Sequence, residues 1–315
     1  MFRFEKEQKT FTLAGMKVGG QPAENPPLLI ASMFHNKDKI VTDRKGNFDR
    51  ARAVEMIKAQ EALSASTGIP AMVAMVANSA EEAKIYIDFY CSTSKMPFGI
   101  DMWVAEKRAE ATEYVAKLGL QDQFLYNSIT PWDKDIKGQV RKLKDLGIKH
   151  VVVQAFDDQD QTPAGRLKSL EKLLDQGAGD FDTVIVDTSV MNMPATSFSL
   201  VANRLIKEKL GLPCGGAYSN GTHMWKDAKT IWSLDGFKAM DAVVQGMASA
   251  IWSDFNFYGP IVTAPRIFPA VAAAQILLTT LVYDETGKIP ENPNIPIKKY
   301  FGDFLEKLTA GAARK

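Results

Sequence analysis

Hydrophobic and polar positions along this chain fall into two kinds of segment that alternate from end to end. The first kind is a short, nearly continuous apolar run. Leu28–Phe34, Pro70–Ala77, Phe98–Trp103, Phe124–Thr130, His150–Phe156, Thr183–Asp187, Leu212–Tyr218 and Ile251–Phe255 are of this kind. Runs without polar alternation read as strands covered on both faces, as in a parallel sheet between helices. The second kind is longer, with apolar residues three or four apart. These segments predict helices over Phe48–Ser66, from Ser79 onward with Ile85 and Phe89 on one face, over Ala105–Leu118 and over Asp133–Leu146. Further helices start at Thr162-Pro163 and run from Pro194 to Gly211. A less regular helical region, Met224–Ser233, precedes Phe237–Ala248, and the last clear helix is Ala264–Tyr283.

The boundary residues support these assignments. Asn47 can cap the first helix, Ser79-Ala-Glu-Glu82 has the spacing of a capping box, and Pro163 suits a first helical turn. Gly119 and Gly147 stand where helices close. Strict alternation of eight strands with helices predicts one α/β domain over residues 1–315, a (β/α)₈ TIM barrel. The competing doubly wound sheet would place a glycine-rich phosphate turn after its first strand. That turn here is Phe34-His35-Asn36, without glycine. Residues 1–22 alternate apolar and polar around Ala14-Gly15-Met16 and predict a hairpin, a plug for the barrel floor. Residues 289–315 form a proline-rich, then amphipathic, tail.

Composition narrows the class. The 38 Lys+Arg nearly cancel the 37 Asp+Glu, so no basic field invites nucleic acid. No apolar run approaches the roughly 18 residues of a membrane span, and the first residues lack the apolar stretch of a signal peptide. A cytoplasmic enzyme or binding protein is the expectation. Cys91 and Cys214 are far apart and lack a Cys-x-x-Cys partner, and His35, His150 and His223 are scattered. Neither a disulfide scaffold nor a zinc site is supported. No lysine ends a predicted strand, which argues against a Schiff-base lyase.

The candidate chemistry lies in how four strands end. Phe98-Gly-Ile-Asp101 and Thr183-Val-Ile-Val-Asp187 end on acids; Phe124-Leu-Tyr-Asn127 and Pro213–Asn220 end on amides. In a barrel these ends meet at one mouth. Any one of them can instead cap the loop that follows. Together, two carboxylates and two amides complement the edge of an aminopyrimidinone, where donors stand beside acceptors. Gln154 and Asp254 are further candidates for the mouth, and Lys226 and Arg266 for an anionic tail. Met102, Trp103, Met191 and Met193 suit a flat apolar ligand or a protein face.

Longer strings carry a resemblance. Met1-Phe-Arg-Phe-Glu-Lys-Glu-Gln8, Gly15-Met-Lys-Val-Gly-Gly-Gln-Pro22, Phe48-Asp-Arg-Ala51, Tyr86-Ile-Asp-Phe89 and Tyr126-Asn-Ser-Ile129 resemble the H-subunit family of tetrahydromethanopterin S-methyltransferase. Within it the chain is most similar to bacterial methylcorrinoid:tetrahydrofolate methyltransferases of the glycine betaine demethylation type. The resemblance implies a pterin-binding barrel, with Asp101, Asn127, Asp187 and Asn220 around the pterin in strand order. Asn220, where a synthase would carry Lys, favours methyl transfer. Methyl would pass between a corrinoid (cobalamin) on a partner protein and N5 of tetrahydrofolate, with Asn220 and Asp101 managing the N5 proton. No metal would be bound by this chain itself. A homodimer is expected by the same analogy. The alternatives are tetrahydromethanopterin as the pterin, or a non-catalytic subunit that only docks the corrinoid protein.

Overall fold

A computed structural model of the chain describes residues 2–312. A two-stranded antiparallel hairpin comes first, β1 (Thr10–Leu13) and β2 (Met16–Gly19). Eight parallel strands then close a barrel: β3 (Leu28–Met33), β4 (Ala71–Val76), β5 (Phe98–Asp101), β6 (Phe124–Ile129), β7 (His150–Gln154), β8 (Thr183–Asp187), β9 (Cys214–Gly216) and β10 (Phe255–Pro260). Closure runs through β10, which pairs with β9 on one side and β3 on the other. Around the barrel lie α1 (Arg50–Thr67), α2 (Ala80–Thr93), α3 (Ala105–Lys117), α4 (Ile136–Asp145), α5 (Pro163–Leu173) and α6 (Ala195–Leu210). A short α7 (Tyr218–His223), then α8 (Ala228–Ala250), α9 (Ala264–Thr286), α10 (Pro296–Tyr300) and α11 (Gly302–Ala312) complete the chain. The TIM barrel expected from the alternation is the observed architecture.

Most boundaries follow from local chemistry. Ser79 Oγ accepts from the Glu82 amide at 3.1 Å, and Glu82 Oε2 accepts from the Asn78 amide at 2.7 Å, a capping box shifted by one residue on its return bond. Thr162 caps α5, with Pro163 in its first turn. The first helix is capped by Asp49 rather than Asn47, whose side chain instead donates to Asp43 at 2.8 Å. Ser233, at φ +64°, breaks the long α8 within the region that the sequence made irregular.

The last strand is displaced from its expected place. Ile251-Trp252 is apolar enough to read as a strand, but there the chain is leaving α8, and Trp252 turns it at φ +63°. The strand therefore begins at Phe255. Asp254 precedes it and lies at the barrel's N-terminal end, not at the mouth. Both Asp254 carboxylate oxygens accept from Lys207 Nζ, at 2.7 and 2.8 Å, and the ammonium also donates to Gly20 O at 3.2 Å. The lysine side chain is 1% exposed. This pair ties α6, the hairpin and the foot of β10 together.

The barrel interior is apolar at its base. Leu28 and Ile30, Met72, Leu125, Val152, Ile185 and Phe255 pack with Leu13 and Val18 of the hairpin, which is thus the floor plug the sequence suggested. Of the described helices, α9 has the length and mean hydropathy of a membrane span over Ile261–Thr286, yet 56% of its most apolar stretch is buried against the protein.

Removing one member of a buried pair leaves the other charge unsolvated, at a cost of about 3–5 kcal/mol. Asp254→Ala should lose that much stability in urea denaturation. Replacing both partners at once, Lys207→Met with Asp254→Leu, should recover most of it. A single variant as stable as the wild type would show that Lys207 reaches water by another route.

Candidate active site

Side chains alternate across a strand, so residues two apart share the barrel interior. Above interior Leu125 comes Asn127, above Val152 comes Gln154, and above Ile185 comes Asp187. Asp101 stands two residues beyond Gly99. Strands β5, β7 and β8 are buried until their last residue, which is partly exposed, and in β6 Asn127 is the one partly exposed position. A polar layer thus lies on the apolar floor. Asp101 is directly opposite Asn127 in the β5–β6 register, and Gln154 is opposite Asp187 between β7 and β8.

All four open into one cavity of about 1640 Å³ at the C-terminal mouth. Asn220 lines it too, although not from a strand. β9 stops at Gly216, and Asn220 sits one turn later on α7, exposed. The structure therefore brings together Asp101, Asn127, Gln154, Asp187 and Asn220 and leaves out Asp254. Arg266 is also accounted for elsewhere, paired with the buried Asp241 at 2.6 Å.

The capping alternative is resolved residue by residue. Among the described residues, the side chains of Asp101, Asn127 and Asn220 make no hydrogen bond. The turn after Asn220 is closed by its backbone carbonyl, which accepts from Met224 N at 3.0 Å. Only Asp187 caps locally, accepting from the Ser189 amide at 2.8 Å. Its other oxygen is left for a ligand.

Two buried arginines that the sequence did not single out hold this layer. Arg108 Nε donates to Tyr126 OH (2.8 Å), Nη1 to Met102 O (3.0 Å) and Nη2 to Asp133 (2.9 Å), fixing the loops after β5 and β6. Arg166, fully buried, donates through Nη1 to Ser189 O at 3.0 Å. Ser189 also accepts Gln154 Nε2 at 3.0 Å and is held at φ +56°, a left-handed conformation that costs a non-glycine residue about 1–3 kcal/mol. Nothing in the local sequence marks either arginine, because each acts on residues distant in the chain. Gly215 of β9 serves packing rather than ligand approach: a Cβ there would lie 2.0 Å from Phe255 O.

Burial raises both acids. Desolvation lifts Asp187 to about 6, against the opposing pull of the Ser189 amide and Arg166. Asp101 is raised for the same first reason, with Arg108 opposing. The loops around the mouth expose large apolar side chains, among them Trp103 (93%), Trp132, Met191 and Met224. His150, read as structural, is so: its Nδ1 lies 2.8 Å from Thr183 Oγ1 below the site.

Comparison with known proteins identifies the family of the chain. The family described as tetrahydromethanopterin S-methyltransferase MtrH subunit matches residues 6–288. The chain belongs to this methyltransferase family. The H-subunit of tetrahydromethanopterin S-methyltransferase from Methanosarcina mazei is 33% identical over 324 residues, covering 95% of this chain and 99% of that protein. Its counterpart from Methanothermobacter thermautotrophicus is 31% identical, covering 93% and 98%. Among solved structures, a Yersinia pestis dihydropteroate synthase with a pterin–sulfa conjugate superposes with a TM-score of 0.57 over 85% of this chain and 99% of its own, at 10% identity. At that identity the likeness is one of fold.

The raised Asp187 has a consequence for stability. A carboxyl whose folded pKa exceeds its unfolded value stabilises the fold at low pH and loses that contribution as pH rises through the folded value. The loss between about pH 4 and 6.5 is at most about 3 kcal/mol, taking 1.36 kcal/mol per unit and allowing for screening by water in the cavity. Asp187→Asn keeps an acceptor for the Ser189 amide and removes the charge. It should match the wild type near pH 4 and be more stable at pH 7 and above. Equal thermal midpoints across the whole range would refute the burial argument.

Proposed function

We propose that this protein transfers a methyl group between a methylated corrinoid, carried by a partner protein in the cytoplasm, and N5 of a reduced pterin, tetrahydrofolate. The observation that carries this reading is the layer of Asp101, Asn127, Gln154 and Asp187 at the mouth of a barrel in a methyltransferase family. An aminopyrimidinone edge carries adjacent N–H donors, and an ionised Asp187 with one oxygen uncommitted is their acceptor. Asn127 and Gln154 can each donate to ring acceptors and accept from ring donors. The apolar floor beneath suits a flat ring.

N5 supplies the electron pair for the new bond to carbon, and the methyl group leaves the corrinoid without its bonding electrons. The barrel's task is to hold N5 in line with that carbon and to take the N5 proton. Asn220 can follow N5 as its protonation changes, since an amide both donates and accepts. It cannot keep the proton, which passes to solvent or to Asp101, whose carboxyl is raised by burial and is therefore a better proton acceptor than an exposed carboxylate. Exposed Trp103, Trp132, Met191 and Met224 around the mouth form an apolar face that fits a docking corrinoid protein. Exposed Val243 and Met247 on α8 and Leu277 and Leu281 on α9 offer a second apolar face, consistent with a homodimer.

The curated relatives are named for tetrahydromethanopterin, and that pterin is the second reading. Titrating each pterin into the purified protein decides between them. A protein that binds neither would leave only the docking role. A direct test of catalysis is methyl transfer from free methylcobalamin to the pterin.

Hydrogen bonds to a charged acceptor contribute about 1.5–3 kcal/mol each. Asp187→Ala should therefore weaken pterin binding by about tenfold or more. Affinity in the wild type should rise with pH through about 6, as Asp187 ionises. Asn220→Ala should instead slow single-turnover methyl transfer more than it weakens binding, because its contact with N5 matters in the transition state. Near-normal turnover in that variant would transfer the N5 role to Asp101.

A further inference from the structure

The mouth is electrically lopsided. The polar layer occupies β5 to β8, centred on β6 and β7. In a closed barrel of eight strands the wall opposite β6 and β7 is formed by β10 and β3. On that wall the cavity is lined by Ile30 and Ser32 of β3 and by Phe257, Gly259 and Pro260 of β10, which offer no carboxylate and a single hydroxyl. Above it stand His35 and Lys37, from the loop after β3, and His223 and Lys229, from the region after β9. Among the described residues lining the cavity from the loops after β3, β4, β9 and β10, none is a carboxylate. The loops after β5 to β7, by contrast, line it with Glu106, Asp133, Asp135 and Asp158 as well as with basic residues.

This basic lip is built. Phe237, buried on α8, is a platform for two of its members: the His223 ring meets it edge-on at 5.1 Å, and Lys229 Nζ lies 4.7 Å from its centroid. Beneath His223, Asp241 is paired with Arg266 at 2.6 Å and accepts a hydrogen bond from the Thr222 hydroxyl at 2.6 Å. Its carboxylate is 3.9 Å from His223 Nε2, beyond hydrogen-bond reach. On the β3 side, His35 Nδ1 accepts from the Lys37 amide at 3.2 Å. That bond leaves Nε2 as the protonated, donating nitrogen of the neutral ring.

We propose that this lip binds the anionic end of the pterin's tail, a carboxylate or phosphate group, while the ring lies against the acids and amides opposite. The proposal rests on the pterin reading and adds the direction in which the ligand lies. A head held on β5 to β8 sends its substituent across the mouth toward β10, where the lip is the first cationic ground it meets. Burial holds both imidazoles below their ordinary pKa, opposed by Asp38 beside His35 and by Asp241 beneath His223, with the neighbouring cations adding to the effect of burial. Each therefore meets the ligand first as a neutral N–H donor, and an arriving anion favours its protonation.

The test compares ligands with and without a tail by calorimetric titration. Tetrahydrofolate carries carboxylates alone, tetrahydromethanopterin carries a phosphodiester with carboxylates beyond it, and 6-methyltetrahydropterin carries neither. Lys229→Gln and His223→Gln should each weaken a tailed pterin by about fivefold, the effect of one partly exposed charged contact. The same variants should bind 6-methyltetrahydropterin as the wild type does. A larger loss with tetrahydromethanopterin assigns the lip to phosphate, and a larger loss with tetrahydrofolate to carboxylate. Equal losses with and without a tail, or no loss with either tailed ligand, overturn the proposal and leave the pterin reading standing. A wild-type protein that binds none of the three overturns both.

Discussion

The two-residue period of a barrel strand decides where polarity can be tolerated in this protein. Each strand turns alternate side chains inward, and the inward column must be apolar wherever water cannot follow. Leu13 and Val18 close the bottom of the barrel, so the mouth is the wet end. Asn127, Gln154 and Asp187 can be polar because each is the top of its column, one step above Leu125, Val152 or Ile185. The apolar floor then acts back on the layer it supports. It withdraws solvent from beneath the two carboxylates, which raises Asp101 and lifts Asp187 to about 6.

That arrangement carries a cost, and the surrounding structure offsets it. Arg108 and Arg166 are buried cations placed behind the acids rather than in contact with them. Their hydrogen bonds go to loop carbonyls, a phenol and Asp133, so they order the loops while easing the charge on the layer. Arg166 acts through Ser189, whose amide serves Asp187 and whose carbonyl serves the guanidinium. A buried Asn203 and Tyr218, joined at 2.9 Å, extend the polar framework behind β8 and β9, where the strand itself is three residues long. Rigidity at the rim comes from these networks, since loops alone would leave the ligand groups free to move.

The division of labour suits methyl transfer by positioning. No group at the mouth needs to become a nucleophile. On the proposed reading the acids and amides recognise a ring, and the lip over β10 offers charge to whatever extends from it. The apolar loops remain for a second macromolecule. The family match spans residues 6–288, whereas the likeness to the synthases is at 10% identity. Likeness at that identity is one of fold alone, so the chemistry must be argued from the rim.

Much of this was legible from the residues alone. Apolar runs with polar ends, separated by capped helices, determine strands buried on both faces, and regular alternation leaves the barrel as the simplest closure. Asp101, Asn127 and Asp187 were legible because a polar residue ending an apolar strand has few places to go. The capping box at Ser79 and the proline at 163 act within a few residues, so local chemistry was enough. What the tertiary structure decided depends on contacts between distant segments. Ile251–Phe255 is as apolar as a strand, but α8 continues to Ala250, and the register with β3 and β9 starts at Phe255. That shift carries Asp254 to the other end of the barrel, where a lysine 47 residues earlier in the chain pairs with it. Asn220 keeps its place at the mouth but rides on a helix turn, because β9 is stopped at Gly216. Arg108 and Arg166 carry no local signature, since their partners are brought to them only when the barrel closes.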